Sequence, residues 1–338
     1  MNQSLEALYC KHTGKRSDKW SAYFDIYDKA LAPYRKNNIN LLEIGVQNGG
    51  SLEIWDEYFP EALKIMGCDI NNDCEKLTYN SSKIKVLVEN VNTDKAFNQI
   101  TEYFDSGVDI LIDDGSHDSG DIIKTFAKYF DCISEGGVFI AEDLHCSYWH
   151  DYKGGLYYPM SAIAFFKKLA DCINHEHWGV LKSREEFLEE FSSHYSIALP
   201  DAILQQIHSV SFYNSVCIVE KKSAEKNILG KRFMAGQEQL VVALDELSVN
   251  SWCPQQNDNY WTNMPMSPEA RYFSLVQEIE SLSNTLSESE KKHDYLSKRY
   301  ETSQLELMKK EDELKKVYNS LSWKVAKFFQ IFKFWGSK

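Results

Sequence analysis

The chain has 338 residues, 43% of them hydrophobic and 26% charged, an ordinary globular composition that excludes a collagen-like, wholly disordered or polytopic membrane protein. Lys and Arg number 37 against 50 Asp and Glu, a net charge of −13, so no nucleic-acid partner is expected, because that role needs clustered cations against phosphate. Eight cysteines (Cys10, Cys68, Cys74, Cys132, Cys146, Cys172, Cys217 and Cys253) show neither CxxC nor zinc spacing, and read as reduced, mostly buried thiols of a cytosolic protein.

In chain order, residues 1–38 read as a helical lid, with Tyr23, Phe24, Ile26, Tyr27, Leu31 and Tyr34 as its apolar positions. The opening MNQSLEALYCKHTGKRSDKW has no apolar h-region, so no signal peptide is expected. Short apolar runs follow at Ile39–Val46, Ala62–Ile70, Ile84–Val88, Val108–Ile112 and Val138–Ala141, with helical spacing at Leu52–Phe59 and Ile122–Phe130. Uniformly apolar strands alternating with helices predict a parallel sheet covered on both faces, an α/β fold. A helix is predicted over Ser161–Cys172, and a strand or hairpin over His208–Lys221 closes the sheet. This domain extends to about residue 235. Residues 236–267 form a polar linker without a clear pattern.

From Tyr272 a heptad can be written with Tyr272, Ile279, Leu286, His293, Tyr300, Leu307, Leu314 and Leu321 at a. Leu275, Leu282, Ser289, Leu296, Ser303, Lys310 and Val317 occupy d. Residues 268–321 therefore read as a coiled coil on the order of 75 Å long, which predicts a homo-oligomer. Its order stays open, since Ser289, Ser303 and Lys310 interrupt the seam. The tail, residues 322–338, interleaves Phe, Trp and Ile with Lys324, Lys327 and Lys333. At roughly 20 Å it is too short to span a bilayer, and it suits a membrane interface or a partner protein.

The strand tips carry the chemistry. The first ends in Glu43-Ile-Gly45-Val-Gln-Asn-Gly-Gly-Ser51, where glycines admit a ligand close to the backbone at a helix N-terminus. This is not GxGxxG. An acidic tip and a looser loop suit a cofactor carrying a cation and no phosphate, such as S-adenosylmethionine. Asp69 closes the next strand, where a carboxylate could accept ribose hydroxyls, with helix capping as the plainer alternative. Asn90 follows the third strand, placed for the adenine edge. Asp113 and Asp114 end the fourth strand, and Glu142 and Asp143 the fifth. Neighbouring tips lie about 4.8 Å apart. Four carboxylates gathered there call for a divalent cation, Mg²⁺ or Ca²⁺ rather than zinc. His117, three residues after Asp114, could take a proton from a metal-polarised hydroxyl.

LEIGVQNGGSLEIW, IDDGSHDSGD and FIAEDLHCSYWHDYKGG together resemble the metal-dependent class I methyltransferases related to the mycinamicin-type sugar O-methyltransferases and the cephalosporin-hydroxylase-like family. The resemblance covers about residues 15–235. It implies a Rossmann-like seven-stranded sheet, S-adenosylmethionine, and a Mg²⁺ ion chelating two hydroxyls of a sugar-like acceptor. It implies Asp114, Glu142 and Asp143 as metal ligands and His117 as general base. Glu43, Gly45, Ser51, Asp69, Asn90 and Asp113 match its cofactor positions, and His145, Tyr148 and Trp149 would line the acceptor. A coiled coil followed by Ser-Leu-Ser-Trp-Lys and an aromatic, basic tail is similar to the ends of bacterial O-antigen biosynthesis enzymes.

The expected protein is an O-methyltransferase capping the non-reducing end of a lipid-linked surface polysaccharide. It would be cytoplasmic and held at the inner membrane by lipid or by a glycosyltransferase or export complex. The alternatives are a non-catalytic scaffold recruiting polysaccharide enzymes, or a methyltransferase of a secondary-metabolite sugar.

Overall fold

The computed structural model describes residues 3–238, 240–241, 253–264 and 267–335. The chain divides into two units, residues 1–270 and 271–338.

In the first unit seven strands form one sheet: β1 (Asn40–Ile44), β2 (Lys64–Asp69), β3 (Ile84–Val88), β4 (Val108–Asp113), β5 (Ile133–Ala141), β6 (Ile207–Phe212) and β7 (Cys217–Lys221). Their order is β3-β2-β1-β4-β5-β7-β6. Strands β1 to β5 are mutually parallel, and the β6–β7 hairpin pairs antiparallel to β5. The strand order reverses between β1 and β4, where an α/β sheet opens a crevice at the carboxyl ends of its strands. Ladder hydrogen bonds run past the strand ends there. Asp114 N donates to Ile44 O and Glu142 N to Asp113 O, each at 2.9 Å, which gathers the acidic tips into one row.

Helices α1 (Leu5–Lys11), α2 (Ser21–Leu31) and α3 (Gly50–Tyr58) bury Tyr27, Trp55, Tyr58 and Phe59 with Leu41, Ile110, Val138 and Ile140 of the sheet. The adjacent residue Phe139 points to the opposite face, as strand alternation requires. There α4 (Asp94–Tyr103), α5 (Ser119–Tyr129) and α6 (Ala162–Ile173) cover the sheet. Phe126 stacks on Phe130 at 4.7 Å between ring centroids and meets Phe139 edge-on at 5.2 Å. Short helices α7 (Arg184–Phe187), α8 (Glu189–Tyr195) and α9 (Asp201–Leu204) lead back to the hairpin.

Three expectations change. The lid is two helices rather than one, because residues 12–20 leave helical geometry to lie against α3: Lys15 pairs with Glu53 and Arg16 O accepts from Gly50 N. Strand β5 starts at Ile133, five residues early, through a register shift opposite β4. Helix α4 adds to the expected elements: Ala96, Phe97, Ile100 and Tyr103 recur at helical spacing, and of its residues only Ala96 and Ile100 are buried. Thr93 nucleates it by accepting from Ala96 N. The expected 236–267 linker lies partly outside the described residues; within it, Gln256 N donates to Gly179 O. Cys68, Cys74, Cys146, Cys172 and Cys217 are buried, and none of the eight cysteines forms a disulfide.

In the second unit α10 (Pro268–Asn319) runs 52 residues, and α11 (Leu321–Trp335) follows. The break falls at Ser320, whose hydroxyl accepts from Trp323 N at 3.2 Å and so caps the new helix. The last three residues of the expected tail lie outside the described residues. Among the described residues no helix is long and apolar enough to cross a membrane.

Replacing Phe126 by Ala removes the centre of the phenylalanine layer. It is expected to cost about 3–5 kcal/mol, read as a lower urea midpoint with the denaturant slope unchanged.

Candidate active site

The glycine loop after β1 is packed tightly against the loop after β4. Gly45 has φ +89°, and a Cβ there would lie 2.0 Å from Asp114 O, so only glycine lets the two loops meet. Asp69, at the tip of β2, ties the loop down: its Oδ2 accepts from Val46 N at 2.7 Å and Gln47 N at 3.0 Å. Burial opposes its charge, but the backbone donors at Asn71, Gln47 and Val46 outweigh burial and hold its carboxyl below the usual range.

A cavity of about 570 Å³ opens over this loop, lined by Gly45, Ser51, Asp69, Asp114, His117, Glu142 and Asp143 among others. A second, of about 220 Å³, shares Gly45 and Asp69 with it and adds Asn90 and Asp113. Five of the six expected cofactor residues thus line two adjoining spaces. Glu43 lines neither. It is fully buried, and its two oxygens accept from Ser51 Oγ at 2.6 Å and Trp55 Nε1 at 3.0 Å. The geometry makes it a strut between β1 and α3, with burial raising its pKa.

At the tips of β4 and β5, one ligand atom each from Asp114, His117 and Asp143 lie within 4.8 Å of one another. His117 Nε2 stands 3.7 Å from Asp143 Oδ2, while its Nδ1 is buried without a hydrogen-bond partner. His117 and Asp143 have φ of +57° and +51°, a region non-glycine residues seldom occupy and one that concentrates at functional sites. The carboxylate oxygens suit a hard divalent cation, with the His117 imidazole beside them. Glu142 stands apart from that trio. It is buried, and its Oε1 accepts from Lys19 Nζ at 2.6 Å and from the Tyr27 hydroxyl.

Sequence reasoning missed four residues here. Lys19 is 2% exposed and bridges Asp114 and Glu142. Burial works against its charge, but the carboxylates of Glu142 and Asp114 keep the ammonium well above its usual value. Tyr23 donates to Asp143 Oδ1 at 2.6 Å. Ser215, in the β6–β7 turn, bonds the Tyr23 hydroxyl at 2.9 Å and His145 Nδ1 at 2.5 Å. Trp20 lines the larger cavity and meets His145 edge-on, 6.1 Å between centroids. No spacing rule pointed to them, because each comes from a distant segment. His145, Tyr148 and Trp149, expected at the acceptor, lie just after Asp143. Tyr148 and Trp149 are 40% and 51% exposed, and none of the three lines the 570 Å³ cavity.

No family model matches the sequence. It is 30% identical over 169 residues to the 8-demethyl-8-alpha-L-rhamnosyl tetracenomycin-C 2'-O-methyltransferase of Streptomyces olivaceus, covering 47% of this chain and 43% of that protein. It is 30% identical over 161 residues to the mycinamicin VI 2''-O-methyltransferase of Micromonospora griseorubida, covering 44% and 39%. The chain spans less than half the length of these curated relatives. Among solved structures it is similar to the MycE methyltransferase complex with Mg, SAH and mycinamycin VI. The TM-score is 0.54 at 24% identity, over 67% of this chain and 55% of that one. The fold is that of the class I methyltransferases.

Asp113 generates a pH prediction. It is 3% exposed with Oδ2 unpartnered, and burial raises its carboxyl to about 7. The folded state therefore holds its proton longer than the unfolded chain, and stability falls as pH rises from about 4 to about 7, by on the order of 4 kcal/mol. Asp113→Asn is expected to raise the melting temperature of the ligand-free protein by several degrees at pH 8, with a clearly smaller gain at pH 5.

Proposed function

We propose that the protein is an O-methyltransferase that uses S-adenosylmethionine and a divalent cation, Mg²⁺, to methylate a sugar hydroxyl. The observation that carries this reading is the convergence of Asp114, His117 and Asp143 beside a cavity floored by the glycine loop. The curated relatives, named as O-methyltransferases of glycosylated compounds, support it.

Asp69 would receive the ribose hydroxyls and Asn90 the adenine edge, with Gly45 and Ser51 against the remainder of the cofactor. Asp114, Glu142 and Asp143 would hold the ion. When bound, the cofactor supplies a methyl group on a sulfonium, and the ion makes a coordinated hydroxyl more acidic. His117 would take the hydroxyl proton at Nε2, the nitrogen turned toward Asp143. The net change is a hydroxyl converted to a methyl ether and the cofactor's sulfonium to a neutral thioether, the S–CH3 bond breaking as the O–CH3 bond forms, with one proton released. Holding acceptor and cofactor side by side in this cleft would contribute much of the acceleration.

Two acceptors are supported by different observations. The relatives' names favour a glycosylated small molecule. The second unit favours a lipid-linked surface polysaccharide, whose extension a terminal methyl would stop. Leu275, Ile279, Leu282, Leu286, Leu296 and Leu307 of α10 are 51–65% exposed, an apolar stripe that a second copy of the chain would cover. Helix α11 carries Trp323, Phe328 and Phe329 beside Lys324 and Lys327, suited to a membrane interface.

Titration calorimetry is expected to show S-adenosylmethionine binding. Labelled methyl transfer to a glycosylated acceptor is expected to stop with chelator. Transfer insensitive to chelator overturns the metal assignment, and transfer to glycosylated small molecules but not to lipid-linked glycans decides between the acceptors. His117→Ala is expected to lower kcat by about 10²–10⁴ while leaving cofactor affinity unchanged. Asp in place of both Leu282 and Leu286 is expected to yield a monomer by light scattering, and deleting residues 322–338 to release the protein from anionic vesicles.

A further inference from the structure

Lys19 belongs to no strand of the sheet. It lies in the segment between α1 and α2, which is pinned to α3 at two points. Lys15 donates from its amide to Glu53 Oε2 at 2.8 Å and from Nζ to Oε1 at 2.6 Å. Gly50 N donates to Arg16 O at 3.2 Å. A Cβ on Gly50 would sit 2.1 Å from Lys15 O, so the segment rests directly on the helix that follows the glycine loop. Beyond these pins, Arg16, Ser17, Asp18 and Trp20 line the 570 Å³ cavity, and Lys19 turns inward to 2% exposure.

The ammonium is 2.5 Å from Asp114 Oδ2 and 2.6 Å from Glu142 Oε1. A buried cation is tolerated only when paired, and buried carboxylates likewise. The contact therefore serves both sides when no other cation is present. A Mg²⁺ ion needs its oxygens at about 2.0–2.1 Å. An ion taking Asp114 together with Glu142 would have to enter the gap that Nζ fills, and two cations repel strongly in so dry a place.

We propose that Lys19 is a resident counter-cation that a divalent ion must displace to reach Asp114 and Glu142, so that metal uptake loosens residues 17–20, beyond the Lys15 and Arg16 pins, over the cavity. This rests on the metal reading of Asp114, Glu142 and Asp143. Lys19 is then the residue that sets metal affinity, and the segment that covers the cofactor space responds to metal.

The test is Mn²⁺ titration of the full chain by calorimetry at pH 8.5, with no cofactor or acceptor, for the wild type, Lys19→Met and Lys19→Arg. Lys19→Met keeps the buried stem and removes the charge. It is expected to bind Mn²⁺ at least tenfold more tightly than wild type, and Lys19→Arg no more tightly than wild type. In the wild type, Mn²⁺ is expected to speed tryptic cleavage after Lys19 several-fold, because the side chain that leaves the carboxylates becomes accessible. This arm decides the matter by itself if Lys19→Met does not fold. Equal or weaker affinity in Lys19→Met, or cleavage unchanged by Mn²⁺ that binds, overturns the proposal: Lys19 would then stay in place and the ion would not use that gap. Absence of Mn²⁺ binding in all three proteins overturns the metal reading itself and the proposal with it.

Discussion

The ammonium of Lys19, held between Asp114 and Glu142, is the contact on which the cleft depends. The sheet order sets β4 beside β5, and both strands run into paired carboxylates, Asp113 and Asp114 at one tip and Glu142 and Asp143 at the other. Like charges at neighbouring tips repel, and the cost rises as water is excluded. One cation from the N-terminal segment offsets it. The same contact draws residues 17–20 across the cavity, so charge balance at the strand tips and cover over the cavity are a single arrangement.

A second layer of hydrogen bonds aims the charged groups. Tyr23 and Tyr27, one turn apart on α2, reach Asp143 and Glu142 respectively. Ser215 joins the β6–β7 turn to Tyr23 and to His145, and its carbonyl accepts from Leu144 N at 2.9 Å. Asp143, one of the two left-handed residues of the cluster, is thereby fixed from both the lid and the hairpin. Neutral hydroxyl donors suit this task, because they orient a carboxylate without neutralising the charge a metal would need.

The second unit follows different physics. Helix α10 has no core of its own, and its apolar positions are exposed. A helix of this length in water depends on burying such a stripe against a partner. Polar residues at Ser289, Ser303 and Lys310 would lower the stability of such a seam in a coiled coil and favour some registers over others. The break at Ser320 separates this rod from the basic aromatic segment.

Much of the fold was legible in the sequence because apolar runs bounded by glycine and acidic residues fix where buried parallel strands begin and end. Ile84–Val88 matches β3 to the residue, while α4 was missed because its outer face is polar and only two of its residues are buried. The candidate site was legible where its residues lie on strand tips: Asp69, Asp114, His117 and Asp143 are local features of the loops that follow β2, β4 and β5. Glu43 looked like a ligand contact by the same logic. Only the packing of α3 against β1, through Ser51 and Trp55, turned its carboxylate inward. Lys19, Tyr23 and Ser215 carry no local signal, since a lysine in a polar segment, a tyrosine on an apolar stripe and a serine in a hairpin turn are ordinary in each place. The sequence by itself determined the sheet, its acidic row and the glycine loop, because these follow from short-range periodicity and turn chemistry. Which groups neutralise and orient that row was decided by the tertiary structure alone, because it depends on contacts between segments about 100 to 200 residues apart.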